Sequence, residues 1–581
     1  MLLKTGGAKK MTVNNMLYNV RLVSDLKDML NQSVELFGSK NAFSVKRLDE
    51  YTGITYTEFK NDVDSLGTAL LSLGLKGKRI ALIGENRYEW CVSYFSAVCG
   101  TGIIVPLDKE LPENEIENLL KRSEASAIIY SGKLENHIAK ALENVESLEY
   151  IINMDLDSDK DGVLSYNLLI NKGKKLIESG DSSFINADID NSKMSFLLFT
   201  SGTTDIAKGV MLSHNNICSN VMAVCKTLYI DSSDSVLSIL PLHHTYECTC
   251  GFLLMIYNGC CISFVEGLKY IAKNLQETKP SILLSVPLIL ENMYKKIWDS
   301  ASKQPGLERK LKIALKVSRF LHSYFKIDIR RKLFKKIHQN IGGRIRLAVS
   351  GAAAINPKVS EGMRNMGINV LQGYGLTECS PIVTCNTEEN LRDASIGLPI
   401  PGVEVRLVGV NEDGIGEIIV KGDNVMLGYY KNELATQKVL KDGWFYTGDL
   451  GYKDESGFYY ITGRKKNVIV TKNGKNIFPE EVEAYLNNSP YVLESLVWGI
   501  DNENDGETYV HARIVPDYEV INQKLRKDNV SEEEIYNLIN SDIKDINHKM
   551  PLYKRVRNFD IRKTEFDKTT TKKIKRYNIN N

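Results

Sequence analysis

The stretch Leu197-Leu-Phe-Thr200-Ser-Gly-Thr-Thr204-Asp-Ile-Ala-Lys208-Gly-Val210 carries the sharpest local signal in this chain. An apolar strand runs into four hydroxyl residues and a glycine, and a lysine and a second glycine follow. Hydroxyls and free backbone N–H groups in a tight turn suit a polyphosphate, with Lys208 as a point charge on it. The spacing differs from a Walker A loop, because Lys208 is followed by glycine and not by Ser or Thr. Two interpretations remain at this point, a different kind of phosphate loop and an ordinary Ser/Thr-rich turn.

Helix-like and strand-like segments alternate on both sides of this stretch. Tyr56–Gly74 has apolar residues at helical spacing, and Arg79–Gly84 is a short apolar strand. Helix-like Trp90–Val98 then leads to strand-like Gly102–Pro106. The same rhythm returns at Ser235–Leu240, Ser281–Val286 and Arg346–Val349. Such alternation predicts βαβ units, parallel sheets and an α/β fold.

The C-terminal third changes character. Residues 395–463 contain short strands between glycine-containing turns, which predicts a small antiparallel β subdomain. Residues 464–581 begin with a strand-rich run and continue with a helical run at Pro479–Leu486, which predicts a separate α+β domain. We therefore expect a large domain over 1–463 and a small C-terminal domain over 464–581.

Composition narrows the class of protein. The 581 residues are 43% hydrophobic and 25% charged, with a net charge of +2, so no overall field points to nucleic acid. Gly251–Val265 is the nearest approach to a membrane span, but it is shorter than the roughly 18 apolar residues required and predicts buried core. The first residues lack the apolar region of a secretory signal, so we expect a cytoplasmic protein with reduced cysteines. Cysteines 248, 250, 260 and 261 near two histidines lack zinc-site spacing and are interpreted as buried small residues.

Four further clusters carry candidate chemistry. Gln372-Gly-Tyr374-Gly-Leu-Thr377-Glu378 combines glycines that permit close backbone approach, a flat ring and a hard oxygen ligand for Mg²⁺. Trp444–Asp449 places a carboxylate after a glycine, where it could hold a ribose diol. Gly463-Arg464-Lys465-Lys466 is a basic strand end suited to phosphate. Asp567–Arg576 is a short basic segment with a Thr triplet.

Taken in this order and at these separations, the clusters resemble the AMP-forming acyl-CoA synthetases, the adenylate-forming ligases. The resemblance extends from about Thr55 to Arg576, and the last cluster is similar to the family's C-terminal P-K-T-x-x-G-K-I-x-R. It implies ATP, Mg²⁺ and CoA as cofactor and co-substrates, and a small lid domain that rotates between two half-reactions about a hinge at Lys466.

The resemblance also implies a role for each matching residue. Thr200, Ser201, Gly202, Thr203, Thr204 and Lys208 would bind the ATP phosphates, and Thr200 and Glu378 would hold Mg²⁺. Gly351, Ala352 and Tyr374 would sandwich adenine, with Gln372, Gly373 and Gly375 beside them. Thr377 would contact the α-phosphate, Asp449 and Arg464 the ribose and phosphate. The residues expected to act in catalysis are Lys573, Lys208, His244, Thr377 and Glu378, with His244 near the acyl carboxylate and Lys573 reaching the carboxylate and α-phosphate.

The sequence departs from the family pattern at four positions. Asp205 and Ala207 stand where the phosphate loop usually has Gly and Pro, and Lys572 stands where Gly usually precedes the catalytic lysine. Val470 occupies a position at which some relatives have a substrate-contacting lysine. Asp205 places a negative charge near ATP, and none of the four changes removes a required group.

The expected substrate is a long-chain fatty acid. Lys279–Tyr294 and a basic insertion at 303–346 are similar to the long-chain fatty acyl-CoA synthetase branch. The expected reaction forms acyl-adenylate and pyrophosphate, then acyl-CoA and AMP. The alternatives are a ligase that loads a carrier protein and a non-catalytic acyl or nucleotide sensor. The preferred chain length and the oligomeric state stay open.

The basic insertion has more than one interpretation. Residues 303–346 contain fourteen Lys and Arg but only Glu308 and Asp328 as acidic residues. The helices there could contact an anionic membrane peripherally, attract CoA, or present a solvated face. Phe320, Leu321, Phe325, Leu333 and Phe334 could insert shallowly into the membrane or pack on the core.

Overall fold

The computed structural model describes residues 17–200, 207–325, 327–471, 475–501, 508–527, 530–568 and 574–576. The chain divides into two compact units. The first consists of Met1–Glu404, Val420–Phe445 and Glu455–Phe458, and the second of Val405–Ile419, Tyr446–Asp454 and Tyr459–Asn581. The predicted boundary at residue 464, between a large domain and a lid domain that rotates, stays a prediction. The division into compact units does not show which part of the chain rotates.

The first unit contains two large sheets with parallel centres; both edges of the nine-stranded sheet and one edge of the eight-stranded sheet are antiparallel. The nine-stranded sheet has the order Leu398–Pro399, Ile382–Cys385, Asn369–Gly375, Leu347–Ser350, Ile282–Ser285, Ser235–Ser238, Cys261–Phe264, Asn41–Arg47, Glu50–Thr55. The eight-stranded sheet has the order Gly428–Tyr429, Lys208–Ser213, Met194–Thr200, Ile103–Leu107, Arg79–Ile83, Ala127–Tyr130, Tyr150–Asn153, Val163–Ser165. The predicted α/β fold is confirmed.

Helices connect and cover these strands. The helix at Tyr56–Ser72 begins where predicted, because the Thr55 hydroxyl accepts from the Glu58 N–H while the Glu58 carboxylate accepts from the Thr55 N–H. The helical segments of the first unit are Leu26–Phe37, Tyr56–Ser72, Tyr88–Ser96, Ala97–Thr101, Glu113–Ser123, Gly132–Leu134, Glu135–Glu143, Tyr166–Glu178, His214–Thr227, Glu247–Leu253, Leu254–Tyr257, Leu268–Tyr270, Ile271–Thr278, Pro287–Ser302, Leu307–Phe325, Arg330–Leu333, Lys335–Asn340, Pro357–Asn365, Thr377–Cys379 and Glu433–Val439.

The apolar run at 251–265 is core, as predicted. Its side chains are buried or half-buried, and it contains the end of Glu247–Leu253, the helix Leu254–Tyr257, a turn and the strand Cys261–Phe264. Cys248, Cys250 and Cys260 are buried free thiols, and Cys261 is half-buried. Among the residues that the structure describes, no three His, Cys, Asp or Glu side chains converge as a metal site would require.

The second unit is a smaller α+β assembly. Most of the strand Trp444–Lys453 belongs to this unit and pairs antiparallel with Tyr459–Arg464, and the unit also contains most of the strands Glu404–Val408 and Gly416–Lys421. Ile469–Val470 pairs with Asn476–Ile477. A three-stranded sheet of Val492–Asp501, Thr508–Pro516 and Val556–Ile561 packs with the helices Pro479–Leu486, Tyr518–Leu525 and Glu532–Asn547 around one apolar cluster.

The two large sheets place the candidate site. The segments that carry Gly351, the His243–His244 pair and Glu378 each follow the end of a strand in the nine-stranded sheet. In open α/β sheets, ligands bind in the crevice beyond the carboxyl ends of the strands. The fold therefore gathers residues that are up to 135 positions apart at one edge of the sheet.

Candidate active site

The predicted phosphate loop connects two paired strands. Met194–Thr200 and Lys208–Ser213 pair antiparallel, with Thr200 directly opposite Lys208. The Thr200 hydroxyl donates to the Lys208 carbonyl at 3.4 Å. On the other side the Tyr430 N–H donates to the Gly209 carbonyl at 2.7 Å. The hairpin holds Lys208 in place, while the connecting residues Ser201, Gly202, Thr203, Thr204 and Asp205 lie outside the described residues.

A buried tyrosine joins the predicted phosphate lysine to the predicted metal ligand. The Lys208 ammonium lies 4.8 Å from the ring centroid of Tyr429. The Tyr429 hydroxyl donates to Glu378 Oε1 at 2.9 Å. A cation–π contact and a hydrogen bond to a charged acceptor are both directional, so Tyr429 orients both groups. Lys208 and Glu378 therefore belong to one cluster, although 170 residues separate them in sequence.

The turn that carries Glu378 is held by backbone contacts on several sides. The Met426 N–H donates to the Glu378 carbonyl at 2.9 Å. The buried Asn220 amide donates to the Ile382 carbonyl at 2.7 Å, and the buried Asn424 amide donates to the Cys379 carbonyl at 3.0 Å. These bonds satisfy the turn's buried carbonyls and restrict the motion of the Glu378 backbone.

Gly375, just before this turn, is required by packing. A Cβ at this position would lie 2.0 Å from the Pro381 carbonyl oxygen, closer than any side chain tolerates. Gly373 differs, since its nearest neighbour would lie 3.4 Å away, at ordinary contact distance. Packing therefore requires glycine at position 375, whereas it does not require glycine at position 373.

The loop that leads from the strand Ser235–Ser238 to His243 and His244 is held by Asn86. The Asn86 amide N–H₂ donates to the Leu240 carbonyl at 2.7 Å and to the Ser238 hydroxyl at 2.9 Å. Its carbonyl oxygen accepts from the Leu242 N–H at 3.1 Å. One side chain thus clamps three points of the turn that leads into His244.

The end of this loop touches the Glu378 turn. The hydroxyl oxygens of Thr245 and Thr377 are 3.3 Å apart, which links the residue after His244 to the residue before Glu378. The His243 and His244 ring centroids are 4.1 Å apart. Burial lowers the pKa of His243 to about 3, so this imidazole is neutral at physiological pH and gives His244 an uncharged neighbour.

Gly351 and Ala352 lie in a turn that packs against Tyr246. The Tyr246 hydroxyl donates to the Val349 carbonyl at 2.9 Å. A Cβ on Gly351 would lie 2.8 Å from the Tyr246 ring, so the glycine allows the ring to approach the strand end. Ala352 adopts a left-handed conformation with φ of 69°. The predicted adenine segment is therefore a constrained turn against Tyr246.

Gln372 supports this turn with its side chain. Its Oε1 accepts from the Ile355 N–H at 2.9 Å, and its Nε2 donates to the Ser395 carbonyl at 3.1 Å. The residue is buried, and Tyr374, two positions along the same strand, is buried as well. The amide of Gln372 thus contacts protein backbone, and direct contact of Gln372, Gly373 or Tyr374 with a nucleotide stays a prediction.

In the second unit the predicted ribose-binding residues form an ion pair. Asp449 and Arg464 lie opposite each other on paired strands, and Arg464 Nε lies 2.6 Å from Asp449 Oδ1. Asp449 is buried, while Arg464 is about two-fifths exposed. Gly448 has a φ of 71°, a conformation that favours glycine over other residues. A buried carboxylate with a partly exposed cation beside it suits recognition of a diol and an adjacent phosphate.

Lys466 follows this pair at the predicted hinge. Partial burial lowers its pKa, and the positive charges of Arg464 and Arg576 act in the same direction while Glu480 opposes them. The residue thus lies among three charged side chains of its own unit, and its role as a hinge stays a prediction.

The segment that carries Lys573 is anchored at both ends. Lys568 and Ile574 form an antiparallel bridge, and the Lys575 N–H donates to the Asp567 carbonyl at 2.8 Å. Arg576 pairs with Glu483, whose pKa is raised to about 7 by burial, against the effect of Arg576. Lys572 and Lys573 themselves lie outside the described residues.

Sequence reasoning missed four residues that hold this site: Asn86, Thr245, Tyr246 and Tyr429. Tyr429 has the clearest local signal, since it follows Gly428 in a Gly-Tyr-Tyr run. A pair of tyrosines after a glycine is typical of many strand ends, however, and nothing in its spacing points to Glu378. Only the pairing of Gly428–Tyr429 with Lys208–Ser213 reveals the connection.

Comparison with known proteins identifies the family. A family model described as AMP-binding enzyme matches residues 30–430. The chain belongs to this family of AMP-binding enzymes. It is an AMP-forming acyl-CoA ligase by class, and the resemblance drawn from its motifs is confirmed at this level.

Two curated relatives and one solved structure represent the matches. This AMP-binding enzyme is 28% identical over 492 residues to a Mycobacterium bovis protein named long-chain-fatty-acid–CoA ligase FadD15, covering 81% of this chain and 78% of the relative. It is 30% identical over 503 residues to fatty acyl-CoA synthetase A of Dictyostelium discoideum, covering 82% and 73%. The crystal structure of the anthranilate CoA ligase AuaEII with anthranoyl-AMP superimposes with a TM-score of 0.74 at 22% identity, covering 98% of both chains. That last likeness concerns the fold.

In the described part of this AMP-binding enzyme, no helix combines the length and the apolar character that crossing a bilayer requires.

Proposed function

We propose that this enzyme activates a long-chain fatty acid with ATP and transfers the acyl group to CoA. In the first step one carboxylate oxygen attacks the α-phosphorus of ATP and pyrophosphate leaves, giving acyl-adenylate. In the second step the CoA sulfur attacks the acyl carbon and AMP leaves, giving acyl-CoA. The single observation that carries this proposal is the cluster of Lys208, Tyr429 and Glu378, in which Lys208 lies over the ring of Tyr429 and Glu378 accepts from its hydroxyl.

Different residues of the first unit would have different roles in the first step. Lys208 would hold the phosphates of ATP, a role that suits a compact cation on a rigid hairpin. The contact of Thr245 with Thr377 joins two segments, so the residues assigned to the acyl carboxylate and to the α-phosphate lie on neighbouring turns. Such preorganised positioning is the main protein contribution to phosphoryl-type transfer.

Mg²⁺ accompanies ATP in this chemistry, and the residues present fit it. Glu378 would be the carboxylate ligand, with Tyr429 holding one of its oxygens, and Thr200 would add a hydroxyl. Mg²⁺ is commonly held by one or two carboxylates together with substrate phosphates, so a small protein contribution suffices. When bound, the ion supplies neutralisation of the phosphate charge.

The second unit would contribute Asp449 and Arg464 to the ribose and phosphate, and Lys573 to the reacting centre. Lys573 would stabilise the negative charge that develops at the α-phosphate during the first step. The bridge between Lys568 and Ile574 supports this assignment, because it fixes both ends of the lysine segment on its own domain. We further infer that the domain rotates about Lys466 between the two steps.

The chain-length class rests on the relatives. The curated relatives reported above are named as ligases or synthetases of long-chain or fatty acids, and each is covered over more than two thirds of its length. The Lys279–Tyr294 segment predicted to mark this branch includes the strand Ile282–Ser285 and the start of the helix Pro287–Ser302. A long-chain acid such as palmitate is therefore the first substrate to test.

One assay separates this proposal from its rivals. The enzyme is given ATP, Mg²⁺ and palmitate, and pyrophosphate release and thioester formation are followed with and without CoA. The expected result is about one pyrophosphate per enzyme without CoA and sustained turnover with CoA. A single pyrophosphate that CoA does not extend to turnover would favour a carrier-protein acceptor, and no pyrophosphate with any acid would favour a sensor.

A further inference from the structure

The helix Leu307–Phe325 within the basic insertion has two apolar faces. One face packs against the protein: Leu311, Ala314 and Leu315 join a cluster with residues of the helix Pro287–Ser302. The Ser318 hydroxyl on the same side donates to the Asn365 carbonyl at 3.0 Å. These contacts identify the side of the helix that packs against the rest of the protein.

The second apolar face points into solvent. Ile313, Val317, Phe320 and Tyr324 are 53%, 44%, 53% and 76% exposed, whereas Leu311 is 8% exposed. Their spacing of four, three and four residues places them in one stripe along the helix. The stripe ends in an aromatic group, since the Phe320 ring centroid lies 5.0 Å from that of Tyr324 and 5.7 Å from that of Phe325. We call Ile313, Val317, Phe320 and Tyr324 the outer stripe.

Basic side chains flank the outer stripe. At about 100° per residue, Arg309 and Lys316 lie along one side of the stripe and Lys310 along the other. All three are exposed, and within the described part of the chain none of them has an ion pair. Lys312 and Arg319 lie farther round and pair with Glu308 and Glu361. The helix as a whole carries five basic residues and one acidic residue.

Other parts of the basic insertion differ in exposure: Leu333 is 43% exposed, but Phe334 and two of the arginines contact the protein. Phe334 is buried and joins the cluster under the helix. Arg330 pairs with Asp328, and the Arg331 guanidinium donates to the carbonyls of Gly343 and Arg344 at 3.1 and 3.2 Å. These two arginines hold the local fold, so the surface is narrower than the whole insertion.

We propose that the outer stripe and its flanking cations dock on the surface of an anionic lipid bilayer. A helix with an exposed apolar face and cations along its edges matches the geometry of interfacial helices that lie in the membrane plane. The cations are complementary to anionic headgroups, while the aromatic end suits the boundary between headgroups and acyl chains. A second copy of the chain is disfavoured as occupant, because two such faces would bring like charges together. This inference concerns a surface and does not depend on the proposed reaction.

Vesicle co-sedimentation of the full chain tests the proposal without any substrate. The vesicles contain equal parts of phosphatidylcholine and phosphatidylserine, and pure phosphatidylcholine vesicles serve for comparison. One variant carries Val317→Ser, Phe320→Ser and Tyr324→Ser, and a second carries Arg309→Gln, Lys310→Gln and Lys316→Gln. One control variant carries Leu48→Ser, Leu434→Ser and Leu552→Ser at exposed leucines elsewhere, and a second carries Lys140→Gln, Lys172→Gln and Lys174→Gln at exposed lysines elsewhere. Circular dichroism and thermal unfolding confirm that each variant folds.

We expect the parent chain to bind the anionic vesicles, to be released by high salt, and to bind pure phosphatidylcholine much less. The Ser variant of the outer stripe and the Gln variant of the flanking cations should each bind the anionic vesicles at least about tenfold more weakly, while the control variants bind like the parent. Absence of binding, equal binding to both vesicle types, or binding unchanged in either variant would overturn the proposal. Concentration-dependent self-association without vesicle binding, lost in the Ser variant, would identify a second copy as the occupant and would also overturn it. Binding to a single-stranded oligonucleotide in place of vesicles would do the same.

Discussion

Tyr429→Phe is the most direct test of how the candidate site is held together. The substitution removes the hydroxyl that donates to Glu378 at 2.9 Å but keeps the ring that faces the Lys208 ammonium at 4.8 Å. The backbone pairing of Tyr429 with Val210 also remains. The change therefore isolates one charge-assisted hydrogen bond, which contributes about 1.5–3 kcal/mol.

If that bond holds Glu378 in position for the metal and the phosphates, its loss lowers the rate of the first step. We expect kcat/KM for pyrophosphate release to fall about ten- to a hundredfold. The Mg²⁺ concentration that gives half-maximal activity should rise as well, because an unrestrained carboxylate is a poorer ligand. Both quantities are measured in a coupled pyrophosphate assay with Mg²⁺ titration.

Tyr430→Phe is the matched control on the adjacent residue. It removes the same hydroxyl from a tyrosine that donates to Glu124 at 3.2 Å and keeps the N–H bond to Gly209. We expect little change in rate or in Mg²⁺ dependence. Equal losses in the two variants, or a loss for Tyr429→Phe that follows only a fall in thermal stability, would refute the reasoning.

Three further predictions follow from individual groups. Lys573→Ala should lower adenylate formation about a hundred- to a thousandfold and leave thioester formation from preformed acyl-adenylate largely intact, and equal loss in both half-reactions would contradict its role. Glu378→Gln should raise the Mg²⁺ requirement steeply without changing the thermal unfolding curve, and an unaltered Mg²⁺ titration would remove Glu378 from the metal site. Glu247 is fully buried, accepts from the Ser238 hydroxyl at 2.6 Å, and has a pKa raised from 4.5 to about 8 by burial. Because the unfolded carboxyl ionises near 4.5 while the folded one keeps its proton until about 8, stability should fall between these pH values, by up to about 5 kcal/mol. Glu247→Gln should remove this slope, and parallel pH–stability curves of denaturant unfolding for parent and variant would show that the carboxyl does not cause it.

The local patterns of this chain determine its fold class. The helix at Tyr56–Ser72 and the strand at Arg79–Ile83 lie where the apolar periodicity places them, because each period follows from backbone geometry alone. The glycine- and hydroxyl-rich motifs also identify the family, since their residue types and order are properties of the sequence itself. The long-chain substrate, the role of Lys573 and the hinge at Lys466 stay predictions.

What joins these motifs is visible only in the tertiary structure. The contact of Tyr429 with Glu378 and Lys208 depends on a strand pairing between segments more than two hundred residues apart, which no local pattern encodes. The basic insertion gives a second example of what local sequence does not determine. Phe320 and Phe334 both lie in sequence rich in Lys and Arg, but Phe320 is exposed and Phe334 is buried. Periodicity reports that a residue is apolar and on which side of its helix it lies. Which side the rest of the chain covers is decided by packing, and that choice separates a core residue from one free to meet a membrane.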